Sequence, residues 1–255
     1  MAHTLYKEYS HEVTAFYDLV TGDGVQSNQF LIVHDGHSIL LDPGGALTYT
    51  ALSMELSKRM KLKDLDYVFA SHQDPDIITS IDRWLGYTNA KIICPRIWVR
   101  FLPHLIPSYR KDSYADRIVG IPDQGENLVL GNMRLKILPA HFLHSVGNLQ
   151  VYDPVSRILF SGDMGASIID RDGHLPVEDF AAHIPSMLGF HRRYMAANKV
   201  CQLWVNMVRG LNVEMIVPQH GRPFKGQAMV KQFLNWIEAL ECGVDLLTQG
   251  NYQVP

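Results

Sequence analysis

The chain has no large surplus of charge of either sign, no paired-thiolate motif and no long apolar run, and each absence closes off a class of function. Lys and Arg number 23 against 26 Asp and Glu, a formal net charge of −3. That balance gives no electrostatic case for nucleic acid or an anionic membrane as partner. No apolar stretch approaches the roughly 20 residues that span a bilayer. The opening Met1-Ala2-His3-Thr4-Leu5-Tyr6-Lys7-Glu8 lacks the apolar core of a signal peptide. The three cysteines, Cys94, Cys201 and Cys242, are odd in number and scattered. They make no paired-thiolate zinc motif and suit a reducing cytoplasm. Low-complexity tracts, linkers and short repeats are also missing. A length of 255 residues fits one large domain or two small ones; the expectation is one, 1–255. Histidine, by contrast, is plentiful at twelve residues, which makes a metal site worth seeking without locating it.

Residues 12–20, 28–34 and 37–41 read as strands, with Asp35-Gly36 as a hairpin signal. Residues 47–60 carry apolar side chains at helical spacing. A short buried strand is expected at 67–70, a helix at 78–85, a strand at 91–94 and a helix at 96–102. Residues 103–116 read as irregular. Strands follow at 117–121, 127–130, 133–139, 149–153 and 157–161, separated by Pro-Asp, Gly-Asn and Asp-Pro turn signals. Residues 180–209 read as mostly helical, broken near Pro185 and Gly189, then a strand at 215–218 and a closing helix at 227–241. Strands then helices, twice over, predict an α+β fold of two sheets packed face to face with helices outside.

The chemistry-bearing residues gather at strand ends. Ser71-His72-Gln73-Asp74-Pro75-Asp76-Ile77 follows the 67–70 strand. Its alternate residues His72, Asp74 and Asp76 can be aimed at one point, where ligands commonly bind in layered folds. The competing reading is a polar turn with Asp74 or Asp76 as a helix N-cap. Three later strand ends repeat the pattern: His141 and His144 in Ala140-His141-Phe142-Leu143-His144, Asp163 in Ser161-Gly162-Asp163-Met164-Gly165, and His220 in Gln219-His220-Gly221. Any one of these could cap a turn, bond a carbonyl or sit on the surface. Four strand ends together point to a metal centre.

The order His-x-acid-x-Asp, then His, then Asp, then a late His-Gly resembles the metallo-β-lactamase fold. Asn28-Gln29-Phe30-Leu31-Ile32-Val33 and Leu40-Leu41-Asp42-Pro43-Gly44 match its opening. Within that superfamily the chain is most similar to the flavodiiron branch, because the second candidate ligand is a carboxylate. His144, Leu159-Phe160-Ser161-Gly162-Asp163 and Tyr194-Met195-Ala196-Ala197-Asn198 strengthen the match. The resemblance implies an αββα sandwich of two mixed sheets and two iron ions, Fe2+ or Fe3+, with a bridging oxo or hydroxo group. It implies one iron on His72, Asp74 and His144, the other on Asp76 and His220, with Asp163 bridging. His144 is preferred to His141 because residues 145–162 then separate it from Asp163, near the family spacing. His141 becomes a neighbour of the ligands or an alternative ligand, and Tyr194 a donor to bound oxygen or else a core residue. Phe190-His191-Arg192-Arg193-Tyr194 otherwise reads as a solvated basic helix face.

This sequence departs from the branch in three ways. Asp74 stands where Glu is usual, and Ile77 where hydrolases of the superfamily carry another His. The sequence ends at Pro255 without an FMN-binding domain, so the implied likeness is to stand-alone oxygen-binding di-iron proteins. The expected partners are molecular oxygen, with nitric oxide as a further gas, a separate electron-transfer or signalling protein, and a second copy in a homodimer. Whether such a protein turns over as an oxidoreductase or only senses stays open here. The alternative is a dinuclear zinc hydrolase on the same scaffold.

Overall fold

A computed structural model describes residues 2–107, 114–169 and 172–255. Among the described residues, thirteen strands form two sheets. The first is ordered β1 (Ala2–Glu8), β2 (His11–Phe16), β3 (Gln29–His34), β4 (His37–Leu41), β5 (Tyr67–Phe69), β6 (Lys91–Pro95) and β7 (Ile118–Ile121). It is antiparallel through β4 and parallel from β4 to β7. The second runs β13 (Phe224–Lys225), β12 (Met215–Val217), β11 (Ile158–Phe160), β10 (Leu149–Asp153), β9 (Met133–Pro139) and β8 (Glu126–Leu130). Only its β11–β12 pair is parallel.

Three apolar layers follow. Val13, Ile32, Leu41, Phe69 and Ile93 meet Leu135, Ile137, Val151, Phe160 and Val217 between the sheets. Helices α1 (Tyr49–Ser57), α2 (Pro75–Ile78) and α3 (Ile81–Tyr87) bury Leu52, Ile77 and Trp84 on the outer face of the first sheet. Helices α4 (Phe180–Tyr194), α5 (Asn198–Val208) and α6 (Gln227–Glu238) cover the second with Met187, Trp204 and Phe233. This is the two-mixed-sheet sandwich expected from the strand–helix pattern. No helix among the described residues is long and apolar enough to cross a membrane.

The differences from the sequence reading have local causes. Strand β1 escapes it because an edge strand with a half-exposed pattern has no clean alternation. The expected helix at 96–102 is a pair of 3-10 turns, Arg96–Trp98 and Leu102–Leu105. The expected helix at 78–85 is split between α2 and α3. Part of the irregular 103–116 stretch lies outside the described residues. Neither Pro185 nor Gly189 breaks α4. Pro185 sits in the second turn, where it forfeits one intrahelical bond, and Asp179 caps the start by accepting from the Ala182 N–H at 3.1 Å. The break falls instead at Met195, whose extended backbone lets the Ala196 N–H donate to the Phe142 carbonyl at 3.1 Å. His191, read as part of a solvated face, is fully buried. It lies on the inward side of an amphipathic helix, where the charge of Arg192 and Arg193 hid its register.

Candidate metal centre

The strands β5, β9, β11 and β12 end at the same edge of the sandwich, and the loops after them interlock. The Leu149 N–H donates to the Ser71 carbonyl at 3.1 Å, joining one sheet to the other. The Gln219 N–H donates to the Gly162 carbonyl at 2.7 Å, and the Asn28 N–H to the Gln219 carbonyl at 2.6 Å. Buried Asp42 accepts from the Ser71 N–H at 3.0 Å. Gly45 lets the turn after β4 press on the His72 loop, since a Cβ there would lie 2.8 Å from the Pro75 carbonyl oxygen. Gly221, at φ +83°, passes so close to Ser167 that any side chain would collide.

Asp74 does occupy the N-cap position of α2, yet its carboxylate caps nothing. It turns instead to the histidines: its Oδ2 lies 3.2 Å from His144 Nε2 and 3.7 Å from His72 Nε2. Asp163 Oδ2 lies 2.9 Å from His144 Nε2 and 3.7 Å from His72 Nε2. One ligand atom from each of His72, Asp74, His144 and Asp163 lies within 4.8 Å of the others. Asp163 Oδ1 faces the other way, 3.6 Å from His220 Nε2, which is 3.4 Å from Asp76 Oδ2. The six residues thus fall into two groups that share Asp163.

These atoms are close without being paired. His72 Nε2, His144 Nε2, Asp76 Oδ2 and Asp163 Oδ1 are buried and none makes an aligned hydrogen bond. Donor and acceptor atoms that converge on common points and not on one another fit cations seated among them. The far ring nitrogens are anchored. His220 Nδ1–H donates to the Gln26 carbonyl at 2.6 Å, and His72 Nδ1 is hydrogen bonded to Ser71 Oγ at 2.9 Å. Such anchors fix the tautomer that leaves Nε2 free to ligate.

The electrostatics agree. Burial pulls His144 down, but the adjoining Asp163 and Asp74 carboxylates overcome it and raise the imidazole to about 10. His72 is likewise raised by Asp163 and Asp74 against its burial. Burial pushes Asp163 up, but His72, His144 and His220 hold it down at about 2. Asp74 is lowered against burial by His144 and His72. Asp76 is raised, by burial above all. Protons on the imidazoles do the work that metal charge would do in a site this negative.

His141 is turned away from the cluster, its Nε2–H donating to the Asp123 carbonyl at 2.7 Å. The Tyr194 ring packs edge-on to His144 at 5.4 Å and stacks on Phe190 at 4.7 Å, with its outer side in solvent. Ile77 is fully buried under the first sheet, pointing to the core and not to the cluster. A cavity of about 1150 Å3 reaches His220 between the Gly22–Gln26 loop and Phe190–Tyr194. Asp42, His191 and Asn148 were not singled out as site residues. Asn148, which donates to the Leu143 carbonyl, and His191, which accepts from the Gly165 N–H at 3.0 Å, hold the loops carrying His144 and Asp163.

A family model described as ODP family beta lactamase matches residues 25–221. The chain belongs to that family. Two structures of the chemotaxis sensor ODP, one of them the apo state from T. denticola and the other described as a peroxy diiron species, share 42% and 41% of residues with it. Each covers 96% of this chain and 97% of its own, at a TM-score of 0.85. A flavodiiron core from Synechocystis sp. is 19% identical over 92% of this chain and 60% of its own, at a TM-score of 0.74, a likeness of fold. A putative diflavin flavoprotein of Synechocystis sp. is 28% identical over 78% of this chain but only 32% of its own length. The ODP-family chain spans about half or less of the curated relatives it matches.

Proposed function

We propose that this ODP-family chain holds a non-haem di-iron centre that reacts with molecular oxygen, and that it serves as an oxygen sensor. The divided carboxylate of Asp163, one oxygen toward His72 and His144 and the other toward His220, carries the reading. One iron falls to His72, Asp74 and His144, the other to Asp76 and His220, with Asp163 shared. A donor set of imidazoles and carboxylates without thiolate suits iron. Three carboxylates and a bridging hydroxide offset the charge of two divalent ions, which a buried site requires. When bound, the iron pair supplies electrons and Lewis acidity to an oxygen molecule.

The chain's own residues prepare the site for that ligand. Gln26 and Ser71 fix the imidazoles of His220 and His72. Ile77, buried in the core, leaves the Asp76–His220 group with fewer side chains than the His72 group and so with room for a ligand. Phe190 and Tyr194 pack against His144 and line the cavity that reaches His220, and Tyr194 would offer its hydroxyl to what binds there. His141, committed to Asp123, stays outside the ligand set. No observation favours the zinc hydrolase, since Ile77 stands where its further His would be. The likeness to the chemotaxis sensor supports sensing; a separate signalling or electron-transfer protein, a second copy of the chain and nitric oxide belong to the proposal as further partners.

Metal analysis and the optical spectrum of anaerobically purified protein, before and after air, test this. About two irons per chain and a charge-transfer band appearing with air are expected. Zinc in their place, with no response to air, overturns the reading. His220→Ala is expected to lose about half the metal, and Asp163→Asn to lose metal from both groups. Full metal content in His220→Ala overturns the ligand assignment.

A further inference from the structure

We propose that Cys201 and Cys242 form a reversible dithiol–disulfide pair whose oxidant is a peroxide. The inference stands on the geometry of the two thiols and not on the iron assignment.

Cys201 lies on α5 and Cys242 on the segment that leaves α6, yet their Sγ atoms are 3.9 Å apart and both side chains are fully buried. A disulfide needs about 2.05 Å between sulfurs, so the bond would form by rotation about the Cα–Cβ bonds. The backbones on either side are already tied together. The Cys242 N–H and the Asn198 N–H both donate to the Asp245 carboxylate, at 3.3 and 2.6 Å. The Asn198 side chain donates to the Glu238 and Leu240 carbonyls at 2.8 and 2.9 Å. The Val244 N–H donates to the Ala196 carbonyl at 2.9 Å. The start of α5 and the turn after Cys242 are therefore one rigid unit that holds two thiols face to face.

The chain supplies its own contrast. Cys94 sits in β6, where burial pushes its thiol up to about 12 and no sulfur adjoins it among the described residues. In the pair each sulfur is the other's neighbour, and either can donate to the other. The attack is assigned to Cys242, which directly precedes the Gly243–Leu246 turn, and resolution to Cys201, which lies within α5.

The chemistry balances. The Cys242 thiolate attacks one oxygen of the peroxide. The O–O bond breaks, and the departing alkoxide or hydroxide is protonated by the proton that Cys242 lost on becoming a thiolate. Cys242 is left as a sulfenic acid. Cys201 sulfur then attacks that sulfur, the S–S bond forms, and the S–O bond breaks to release water with the Cys201 proton. Two thiols are oxidised and one peroxide is reduced to water plus water or an alcohol. A thiol reductant reverses it. A molecule this small would reach the pair past the short 3-10 turn Gly243–Leu246, which follows Cys242 and whose Val244 side chain is in solvent. The new bond would fix the C-terminal segment to α5, and through Ala196 to the Phe142 carbonyl on the loop that carries His144.

Full-length protein is titrated with hydrogen peroxide, alkylated in denaturant and mapped by mass spectrometry. The expected result is loss of two of the three alkylatable thiols together, a peptide cross-linked between 201 and 242, and recovery of all three after dithiothreitol. Cys94→Ser is expected to leave the cross-link unchanged. In Cys201→Ser, Cys242 is expected to stop at a sulfenic acid that dimedone captures. Three alkylatable thiols after peroxide, stepwise over-oxidation without a cross-link, or dependence of the loss on Cys94 overturns the proposal. The wild-type map decides the matter even if a serine variant fails to fold.

Discussion

A buried histidine that holds a loop by one hydrogen bond has a pH signature of its own. His191 Nδ1–H donates to the Met187 carbonyl at 2.9 Å while Nε2 accepts from the Gly165 N–H. The ring must be neutral for both bonds to stand, and burial lowers it from 6.5 to about 4. A histidine lowered in the folded state binds a proton more readily when unfolded. Its stability contribution is complete above pH 6.5 and is lost as pH falls toward 4. The loss is on the order of 2 kcal/mol by pH 5. Urea unfolding of metal-free protein at pH 7.5 and pH 5 measures it, and the acid-induced drop is expected to shrink by that amount in His191→Gln. An equal drop in both proteins would assign the acid sensitivity elsewhere. The histidines proposed as ligands give the opposite sign. His72 and His144 are raised by their carboxylates, so divalent metal must displace their protons. Calorimetry of ferrous iron binding in buffers of different ionisation heat is expected to show release of at least one proton per chain at pH 7.

At the scale of elements, one buried amide joins three of them. Gln150 on β10 accepts from Trp204 Nε1–H of α5 at 2.7 Å and donates to the Ser161 carbonyl at the end of β11, also at 2.7 Å. Gln150→Leu is expected to strand both partners without water, at about 1–3 kcal/mol each, and to loosen the turn that presents Asp163. Denaturant unfolding reads the first effect and metal content at limiting iron the second; stability within 0.5 kcal/mol of wild type would mean that water reaches the pair. This contact also shows where sequence reading stops. The strands β3 to β6 and β9 to β12 were legible because burial on both faces or strict alternation marks them. The four strand-end loops were legible because His and Asp recur beside glycine. Gln150 and His191 were not, because a polar residue inside an apolar stretch looks the same whether it is satisfied by a distant helix or exposed. Edge strand β1 and the site of the break after α4 were missed for a related reason: both are set by a neighbour across the fold and not by local pattern.

In the whole molecule hydrogen bonds pin the two sheets together at both ends. At the edge of the proposed metal centre the sheets are joined by the Ser71–Leu149 bond. At the opposite edge, where β2 begins and β10 ends, His11 Nε2–H donates to the Asp153 carboxylate at 2.7 Å. Both residues are buried. Asp153 also accepts from the Val155 N–H at 3.0 Å and from Ser156, and His11 abuts His34 at 3.2 Å between Nδ1 atoms. A buried carboxylate this fully bonded is held for geometry more than for net stability, since desolvation offsets much of the attraction. Removing one partner is another matter, because the other is left buried and unpaired. Asp153→Ala is expected to destabilise the fold by about 3–5 kcal/mol, measured by urea unfolding of the metal-free protein. Because the pair lies a full strand length from the ligands, iron content and the response to air are expected to stay at wild-type levels in the folded fraction. Loss of metal at conditions where Asp153→Ala is still folded would mean that the far edge sets the spacing of the ligand loops, and that the two ends of the sandwich are mechanically one.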